Sequence, residues 1–209
     1  MFVTFEGVEG CGKTTQAPRL AAALGANVLL TQEPGGTELG KEIRTMLLSP
    51  KNAGMAPAAE LLLYFADRAQ HVEQVIRPAL AAGRSVISDR YVDSSLAYQG
   101  YGRGLPLDLL RAVARLATGG LQPDVTFFLD VPVERGLSRV GRRGAHDRLE
   151  SEAVDFHERV RRGYLALMED EPERWIRVDG VGAPDEVEQR LLAAARQRGL
   201  LGVAPRGLR

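Results

Sequence analysis

The residues with the clearest chemical signature lie near the start of the chain, in a stretch rich in glycine. Gly7 opens the pattern G-x-x-x-x-G-K-[ST], which Gly12, Lys13 and Thr14 complete. Such glycines let backbone N–H groups approach an anion, the lysine pairs with the β- and γ-phosphates of a nucleotide, and the hydroxyl ligates Mg²⁺. The pattern predicts a loop that holds ATP and Mg²⁺. The residues assigned to this loop are Gly7, Val8, Glu9, Gly10, Cys11, Gly12, Lys13, Thr14 and Thr15.

The surroundings of this loop make the prediction more specific. A strand-like run at 2–5 precedes the loop and a helical pattern at 13–24 follows it, which aims the N-terminus of the helix at the phosphates. Cys11 lies among the N–H groups that would hold the anion. We therefore expect its thiol to be reactive and to be protected by bound nucleotide.

A second centre for phosphate chemistry is expected where a strand-like run at 85–88 ends in Asp89 and Arg90. Doubly wound sheets bind ligands at such strand ends. Asp89 would lie near Thr14 and hold a water of the metal, and Arg90 could clamp an acceptor phosphate through two hydrogen bonds. GTP-binding switches need an Asn-Lys-x-Asp tetrapeptide to read guanine, and the sequence contains none. The pattern favours phosphoryl transfer to a small acceptor over a switch or a motor.

Short apolar runs alternate with longer helical patterns along the whole chain, which is typical of βαβ units and a parallel sheet. Several runs are continuously apolar, as in strands covered on both faces. We predict an α/β fold of the three-layer α/β/α sandwich type, with a five-stranded parallel sheet, in a single domain spanning 1–209. The predicted strands are 2–5, 27–31, 85–88, 125–129 and 175–178, and the predicted helices are 13–24, 38–48, 56–80, 106–118, 132–140, 153–170 and 185–198.

Two segments interrupt this alternation, and we expect both to be mobile surface loops. One is the Gly/Tyr-rich stretch 100–104, and the other is the Arg/Gly run 141–148. The tail at about 200–209 has the composition of a frayed terminus. The histidines lack the spacing of metal ligands and are expected at the surface; they are His71, His146 and His157.

The charge balance and the cysteine content limit the partners and the compartment. Lys+Arg and Asp+Glu both number 27, so the net charge is zero and no overall field attracts nucleic acid or an anionic membrane. No apolar run approaches the length of a membrane span, and nothing before the glycine-rich loop resembles a targeting peptide. One cysteine allows no internal disulfide, which fits a reducing compartment. We expect a cytoplasmic protein with neither a nucleic-acid nor a membrane partner.

Taken in order, these motifs resemble those of the thymidylate kinase family. The resemblance covers essentially residues 2–180. It implies a P-loop kinase fold, phosphoryl transfer from ATP to dTMP giving dTDP, a homodimer, and a mobile lid at about 141–150 that closes over ATP. The matching stretches are Glu6-Gly7-x-Glu9-Gly10-x-Gly12-Lys13-Thr14-Thr15, Glu33-Pro34-Gly35-Gly36-Thr37, Tyr64-x₃-Arg68, Asp89-Arg90-Tyr91 with Ser94-Ser95 and Ala97-Tyr98-Gln99-Gly100, and Asp147-Arg148-x-Glu150.

The resemblance also implies an acceptor site. Tyr64 and Arg68 lie at i and i+4 of the long predicted helix, so an aromatic face and a guanidinium point to one side, where they could stack on a pyrimidine and donate to its O4. Arg44 and Arg90 are implied to bracket the dTMP phosphate. The other implied contacts are Ser95 and Gln99 at the base edge, Tyr98 beneath the sugar, and Glu33 in a turn that borders the site.

The expected transfer needs no general base. The second pKa of a nucleoside monophosphate lies near 6, so its attacking oxygen is already mostly ionised at neutral pH. Catalysis then rests on positioning and on neutralising charge. Gly10 occupies the position where one form of the family carries its catalytic arginine, so this chain is similar to the bacterial-type form, in which the lid supplies it. By resemblance Glu9 organises the acceptor sugar and the waters of the metal, and Arg148 fixes the base of the lid. The residues assigned to catalysis are Glu9, Lys13, Arg90, Arg142 and Arg143.

Two other functions remain open on the sequence. One is a different P-loop kinase that phosphorylates UMP, CMP or AMP, against which the stretches Pro34-Gly35-Gly36 and Tyr98-Gln99 argue. The other is a regulator that binds a nucleotide without catalysis. The presence of Lys13, Thr14 and Asp89 favours turnover over that alternative.

Overall fold

The centre of the molecule is a sheet of five parallel strands in the order β2-β3-β1-β4-β5. The computed structural model describes residues 1–141 and 147–201. Helices cover the sheet, which confirms the α/β sandwich that the sequence predicts. The strands are β1 (Phe2–Glu6), β2 (Val28–Gln32), β3 (Ser85–Asp89), β4 (Val125–Asp130) and β5 (Trp175–Asp179).

The two strands with the most apolar sequences lie at the centre of the sheet. Every residue of β1 and β4 is buried, as expected for strands with helices on both faces. Strand β2 lies at one edge and is less buried, with Leu30 42% exposed. All five predicted strands are confirmed, with ends that differ by one residue.

The helices also follow the prediction closely. No helix in the two described ranges combines the length and the apolar character that a membrane span requires. The helices are α1 (Lys13–Leu24), α2 (Glu38–Leu48), α3 (Pro57–His71), α4 (Arg77–Ala81), α5 (Val92–Ser95), α6 (Leu107–Thr118), α7 (Val133–Gly141), α8 (Val154–Asp170) and α9 (Pro184–Gln197).

The helix predicted at 56–80 is divided in the structure. A wider π-helical turn, Val72–Ile76, separates α3 from α4. Pro78 follows this turn and has no N–H to donate to the carbonyl four residues earlier, so regular α-helical bonding cannot continue through it.

The prediction of a surface loop at 100–104 is wrong for most of that segment. Residues Leu96–Gly102 form a π-helical stretch that continues directly from α5, and Gly100 and Gly102 are buried. A Cβ on Gly102 would lie 2.7 Å from the ring of Phe156 and 3.0 Å from Val160. Gly102 therefore permits close packing against α8, and Gly100 permits it against Leu107 of α6, where the sequence predicts flexibility.

The surface position predicted for the histidines is also wrong where the structure describes them. His71 and His157 are both fully buried. The Nδ1 of His71 lies 2.9 Å from Oε1 of Glu33, and its Nε2 lies 2.7 Å from the hydroxyl of Thr31. His146 lies outside the described residues.

We predict that Gly102→Ala lowers the free energy of unfolding by about 1–3 kcal/mol, because the added methyl group overpacks the contact with Phe156 and Val160. Gly54→Ala is the matched control, since a Cβ there meets nothing within 4 Å. Urea unfolding of both variants measures the difference. Equal stability of the two variants would contradict the packing argument.

Candidate active site

The carboxyl ends of β1 and β3 bring the two predicted phosphate centres together. These strands are neighbours, with Phe5 beside Asp89. The glycine-rich loop after β1 and the residues after β3 therefore leave the same edge of the sheet. A cleft of about 380 Å³ opens there, and its lining includes Glu9, Lys13, Thr14, Asp89, Arg90 and Arg139.

The glycine-rich loop wraps around the ammonium group of Lys13. Its Nζ donates to the carbonyl oxygens of Gly7 at 3.0 Å and of Val8 at 3.2 Å. Helix α1 begins at Lys13, and Gly12 before it has a φ of 106°, a left-handed conformation that glycine adopts at little cost. The ammonium group therefore lies at the N-terminus of α1. Its charge and the positive end of the helix dipole would both attract a phosphate chain.

The reactive thiol predicted at position 11 does not fit the structure. Cys11 is 1% exposed and belongs to the main hydrophobic core, and its Sγ lies 3.4 Å from Nζ of Lys13. This burial leaves little of the residue open to a reagent, although Cys11 is part of the lining of the cleft.

Gly10 packs directly against the backbone of α7. A Cβ on Gly10 would lie 2.1 Å from the carbonyl oxygen of Gly136, and a Cβ on Gly136 would lie 2.3 Å from the carbonyl oxygen of Glu9. Neither position accepts a larger residue unless the backbone moves. Helix α7 ends at Gly141, where the predicted lid begins, so the loop and the root of the lid are in contact.

The hydroxyl of Thr14 and the carboxylate of Asp89 meet as the sequence predicts. Thr14 Oγ1 donates to Asp89 Oδ2 at 3.1 Å. The described part of the chain holds no cluster of three or more His, Cys, Asp or Glu side chains that could bind a metal alone. Mg²⁺ commonly binds through one or two protein oxygens, substrate phosphates and waters. This pair fits such a site, because it offers one hydroxyl and one carboxylate beside the phosphate loop.

Arg90 and Glu9 form an ion pair at the centre of the site. Nη2 of Arg90 donates to Oε1 of Glu9, and the hydroxyl of Tyr98 donates to the same oxygen at 2.8 Å. Burial alone raises the pKa of Glu9, but the charges of Arg90 and Lys13 outweigh it and lower the pKa to about 2. Arg90 also has a φ of 76°, a strained conformation for a residue other than glycine.

Glu6 supports this ion pair from the core, a role that the sequence analysis missed. Its carboxylate accepts hydrogen bonds from the backbone N–H of Tyr91 at 2.8 Å and from the hydroxyls of Ser94 and Tyr164. Burial, and then the charge of Asp93, raise the pKa of Glu6 to about 7. Ser94 in turn accepts a hydrogen bond from Arg90 at 3.1 Å. Glu6 belongs to the matched motif, but its position at the end of a predicted strand does not indicate that it would contact Ser94 and Tyr164.

A smaller pocket of about 70 Å³ adjoins the cleft and gathers most of the predicted acceptor residues. Nη1 of Arg44 donates to the carbonyl of Pro34 at 2.8 Å, which holds this side chain at the mouth of the pocket. The predicted residues in the lining are Glu9, Glu33, Arg44, Tyr64, Arg90, Ser95, Tyr98 and Gln99.

Arg68 is the predicted acceptor residue that does not line this pocket. It is 1% exposed, and its guanidinium donates to Glu33 at 2.6 Å, to Ser95 at 2.9 Å and to the carbonyl of Tyr91 at 2.9 Å. These bonds fix the wall of the pocket from behind. A contact between Arg68 and O4 of a pyrimidine stays a prediction.

Arg148 is 4% exposed, so the mobile surface loop predicted at 141–148 does not extend to this residue. Its Nε donates to the carbonyl of Leu47 at 2.7 Å, and its guanidinium pairs with the buried carboxylate of Glu60. Arg142 and Arg143, the predicted catalytic arginines, lie outside the described residues.

The comparisons with known proteins agree with this geometry. The family model for thymidylate kinase matches residues 5–191. A thymidylate kinase of Desulfovibrio desulfuricans is 53% identical over 197 residues, covering 90% of this chain and 91% of the relative. A thymidylate kinase of Deinococcus radiodurans is 50% identical over 202 residues, covering 95% of this chain and 98% of the relative. The chain belongs to the thymidylate kinase family.

The crystal structure of a thymidylate kinase from Ehrlichia chaffeensis extends this similarity to the fold. It matches with a TM-score of 0.77 at 33% identity, covering 92% of this chain and 97% of that one. The P-loop kinase fold expected from the motifs is therefore confirmed.

The far end of the cleft contains residues that the motif search did not find. Arg139, on α7, donates to the carbonyl oxygens of Gly10 at 3.2 Å and of Gly180 at 3.2–3.3 Å. Gly182, Pro184 and Val187 also line this end. The glycine-rich motif describes only the phosphate contacts of a thymidylate kinase, so it carries no signal for these residues. Arg139 is one residue from the predicted end of its helix. Its position in the sequence just before the predicted lid is the one sign that it could lie at the site.

We predict that Glu9→Gln costs about 2 kcal/mol of stability at pH 7, because it leaves the partly buried guanidinium of Arg90 without its ion pair. The pKa of Glu9 is lowered from 4.5 to about 2 on folding. The stabilisation is therefore present above pH 4.5 and is lost as the pH falls towards 2. Urea unfolding from pH 7 to pH 3 should show the deficit shrink. Glu38→Gln is the exposed control, and a deficit that stays constant down to pH 3 would contradict the pairing.

Proposed function

We propose that this chain transfers the γ-phosphoryl group of ATP to dTMP, giving dTDP, with Mg²⁺ as cofactor. One observation carries the proposal: the cleft around the phosphate loop and the smaller pocket share Glu9 and Arg90 as common wall residues. A donor held by the loop and an acceptor held in the pocket would meet at this ion pair. Membership of the thymidylate kinase family supports dTMP as the acceptor.

In this proposal the acceptor phosphate binds between Arg44 and Arg90. Tyr64 stacks on the thymine, and Ser95 and Gln99 face its edge. The ring of Tyr98 limits the space beneath the sugar, while its hydroxyl is engaged by Glu9. Arg68 orders this wall through its hydrogen bonds to Glu33 and Ser95.

The transfer follows from positioning. An ionised phosphate oxygen of dTMP attacks the γ-phosphorus, the bond to the bridging β–γ oxygen breaks, and ADP leaves with that oxygen. Lys13 would leave its loop carbonyls and pair with the β- and γ-phosphates. Thr14 and Asp89 would hold Mg²⁺, whose charge offsets that of the phosphates.

A panel of acceptors tests the proposal directly. The purified protein is given ATP, Mg²⁺ and one of dTMP, UMP, CMP or AMP, and ADP release is followed in a coupled assay. We expect the highest kcat/KM with dTMP. Preference for another monophosphate would assign the alternative kinase function, and ADP release with none of them would favour the non-catalytic regulator.

We also propose that the lid supplies the arginine that stabilises the transferring phosphoryl group. Position 10 is a glycine, so the phosphate loop contains Lys13 but no arginine. Arg142 and Arg143 directly follow α7, whose Gly136 contacts Gly10. This sequence position would let a closing lid bring a guanidinium to the γ-phosphate.

Arg143→Ala should lower kcat by ~10²–10⁴-fold, the effect expected when an arginine that stabilises developing charge is lost. Binding of dTMP measured without ATP should barely change, since the two arginines proposed to hold the acceptor phosphate, Arg44 and Arg90, both lie outside the lid. Arg135→Ala, which removes an exposed arginine of α7, is the control. A large loss in Arg142→Ala instead would move the role by one residue. If the double variant Arg142→Ala/Arg143→Ala keeps a kcat within about threefold of the wild-type value, the lid mechanism is refuted.

We further propose that the protein is a homodimer built on α2, α3 and α6. These helices are adjacent, with α3 in contact with both others. Of the eight large apolar side chains that are exposed in the described residues, five lie on these three helices: Leu39, Met46, Leu62, Leu109 and Leu116. Such clustering is typical of an interaction surface.

Leu62→Glu should shift the protein towards monomer in sedimentation velocity, because it places a charge in the proposed interface. Val154→Glu is the control, since Val154 is similarly exposed but lies on α8. A wild-type protein that sediments as a monomer at micromolar concentration would contradict the dimer.

We propose, lastly, that residues 1–209 act as one domain in the cytoplasm. All five strands belong to one sheet, and the proposed substrates are cytoplasmic metabolites.

A further inference from the structure

A buried carboxylate, that of Glu60, lies behind the pocket proposed for the nucleobase. Glu60 is 0% exposed and has a different set of partners at each oxygen. Its Oε1 accepts from Nε2 of Gln99 at 2.8 Å and from Nε of Arg103 at 3.2 Å. Its Oε2 accepts from Nη2 of Arg103 at 3.1 Å and pairs with Nη1 of Arg148. Oε2 is therefore held by one terminal guanidinium nitrogen from each arginine, whereas Oε1 is held by Gln99 and, at 3.2 Å, by Nε of Arg103.

The charge of this carboxylate fixes the orientation of the Gln99 amide. Burial raises the pKa of Glu60, but hydrogen bonds from Arg103 and Gln99 and the charge of Arg148 lower it below its usual range. An ionised carboxylate can only accept hydrogen bonds, so the amide nitrogen of Gln99 must face it. The amide oxygen then points to the other side.

That oxygen is left for a ligand. No hydrogen bond to Oε1 of Gln99 is donated by a residue within 1–141 or 147–201, and the side chain is 1% exposed. Gln99 lines the smaller pocket together with Tyr64 and Ser95. The pocket therefore presents a hydrogen-bond acceptor whose direction is set from behind.

We propose that Glu60 is a positioning residue for base selection, which turns the oxygen of Gln99 to the base and so favours a base with an N–H donor on that edge. Thymine carries a hydrogen at N3, whereas N3 of cytosine is an acceptor and would face the oxygen with no proton between them. The inference rests on the proposed function, in which Gln99 meets the base.

The arrangement of the arginines predicts what an amide at position 60 would do. In Glu60→Gln the new carbonyl oxygen takes the Oε2 position, where Arg103 and Arg148 both donate. Its NH₂ group then faces Gln99. Gln99 must turn its own oxygen back to accept that hydrogen bond, and it presents NH₂ to the pocket. The pocket would then match N3 of cytosine.

The test measures kcat/KM for dTMP and dCMP in the Glu60→Gln protein. The dTMP-to-dCMP ratio should fall about 10–100-fold, since a mismatched buried hydrogen bond costs roughly 1–3 kcal/mol. The change should lie mainly in KM, and calorimetric binding of the two monophosphates without ATP should show the same shift. Arg103→Gln is the matched control: it removes a partner of the same carboxylate but leaves Gln99 in place, so the ratio should hold while stability falls.

A paired variant checks the orientation itself. In Glu60→Gln with Gln99→Glu, the amide at 60 donates to the carboxylate at 99, whose second oxygen again offers an acceptor to the pocket. The dTMP-to-dCMP ratio should recover. If Glu60→Gln is too unstable to assay, NMR of the wild-type protein serves, because side-chain N–H protons of Gln99 bonded to Glu60 should be protected from exchange before dTMP is added.

The outcomes separate this inference from the proposed function. If Gln99→Leu leaves the dTMP-to-dCMP ratio unchanged, Gln99 does not read the base and the proposed site is wrong. If Gln99→Leu changes the ratio but Glu60→Gln keeps it within twofold, only the positioning role is refuted. Rapidly exchanging Gln99 protons in the wild-type protein would refute it as well.

Discussion

The ion pair between Arg90 and Glu9 is the constraint on which the rest of the site depends. It joins the residue after β3 to the loop after β1, and both of its residues belong to the wall that the cleft and the smaller pocket share. The cost of holding Arg90 at a positive φ is offset by its contacts with Glu9, Ser94 and the ring of Tyr98. An arginine fixed this firmly would need little reorganisation when an anion arrives, which is what electrostatic preorganisation requires.

The same design recurs around the acceptor pocket. Buried acids lie one layer behind two side chains that would face a ligand: Glu6 behind Ser94, and Glu60 behind Gln99. Each acid accepts several hydrogen bonds and so limits the rotation of its partner. Burying a carboxylate is costly unless it is fully paired. The dense partner set of Glu60, which includes two arginines, meets that condition.

The sequence predicted the parts of the molecule that depend on local pattern. The strands are predictable because β1 and β4 are rich in aromatic and β-branched residues, and the phosphate loop because its glycines and Lys13 are fixed in spacing. The π-helical stretch Leu96–Gly102 was missed because Gly100 and Gly102 suggest flexibility in isolation, whereas here Leu107 and Phe156 approach them closely. His71 was misplaced for a similar reason: its partners Glu33 and Thr31 are distant in sequence. Burial of Cys11 and the support from Glu6 likewise arise only when strands and helices pack.

The backbone contact between Gly10 and Gly136 bears on how the two forms of this family could have diverged. An arginine in the phosphate loop at position 10 would strike the carbonyl of α7, and relief would require moving the helix that carries the root of the lid. Loop and lid would therefore have to change together, and a lineage that made one substitution alone would pass through a less stable protein. If the lid carries the catalytic arginine as proposed, the contact between Gly10 and Gly136 would oppose its transfer to the phosphate loop.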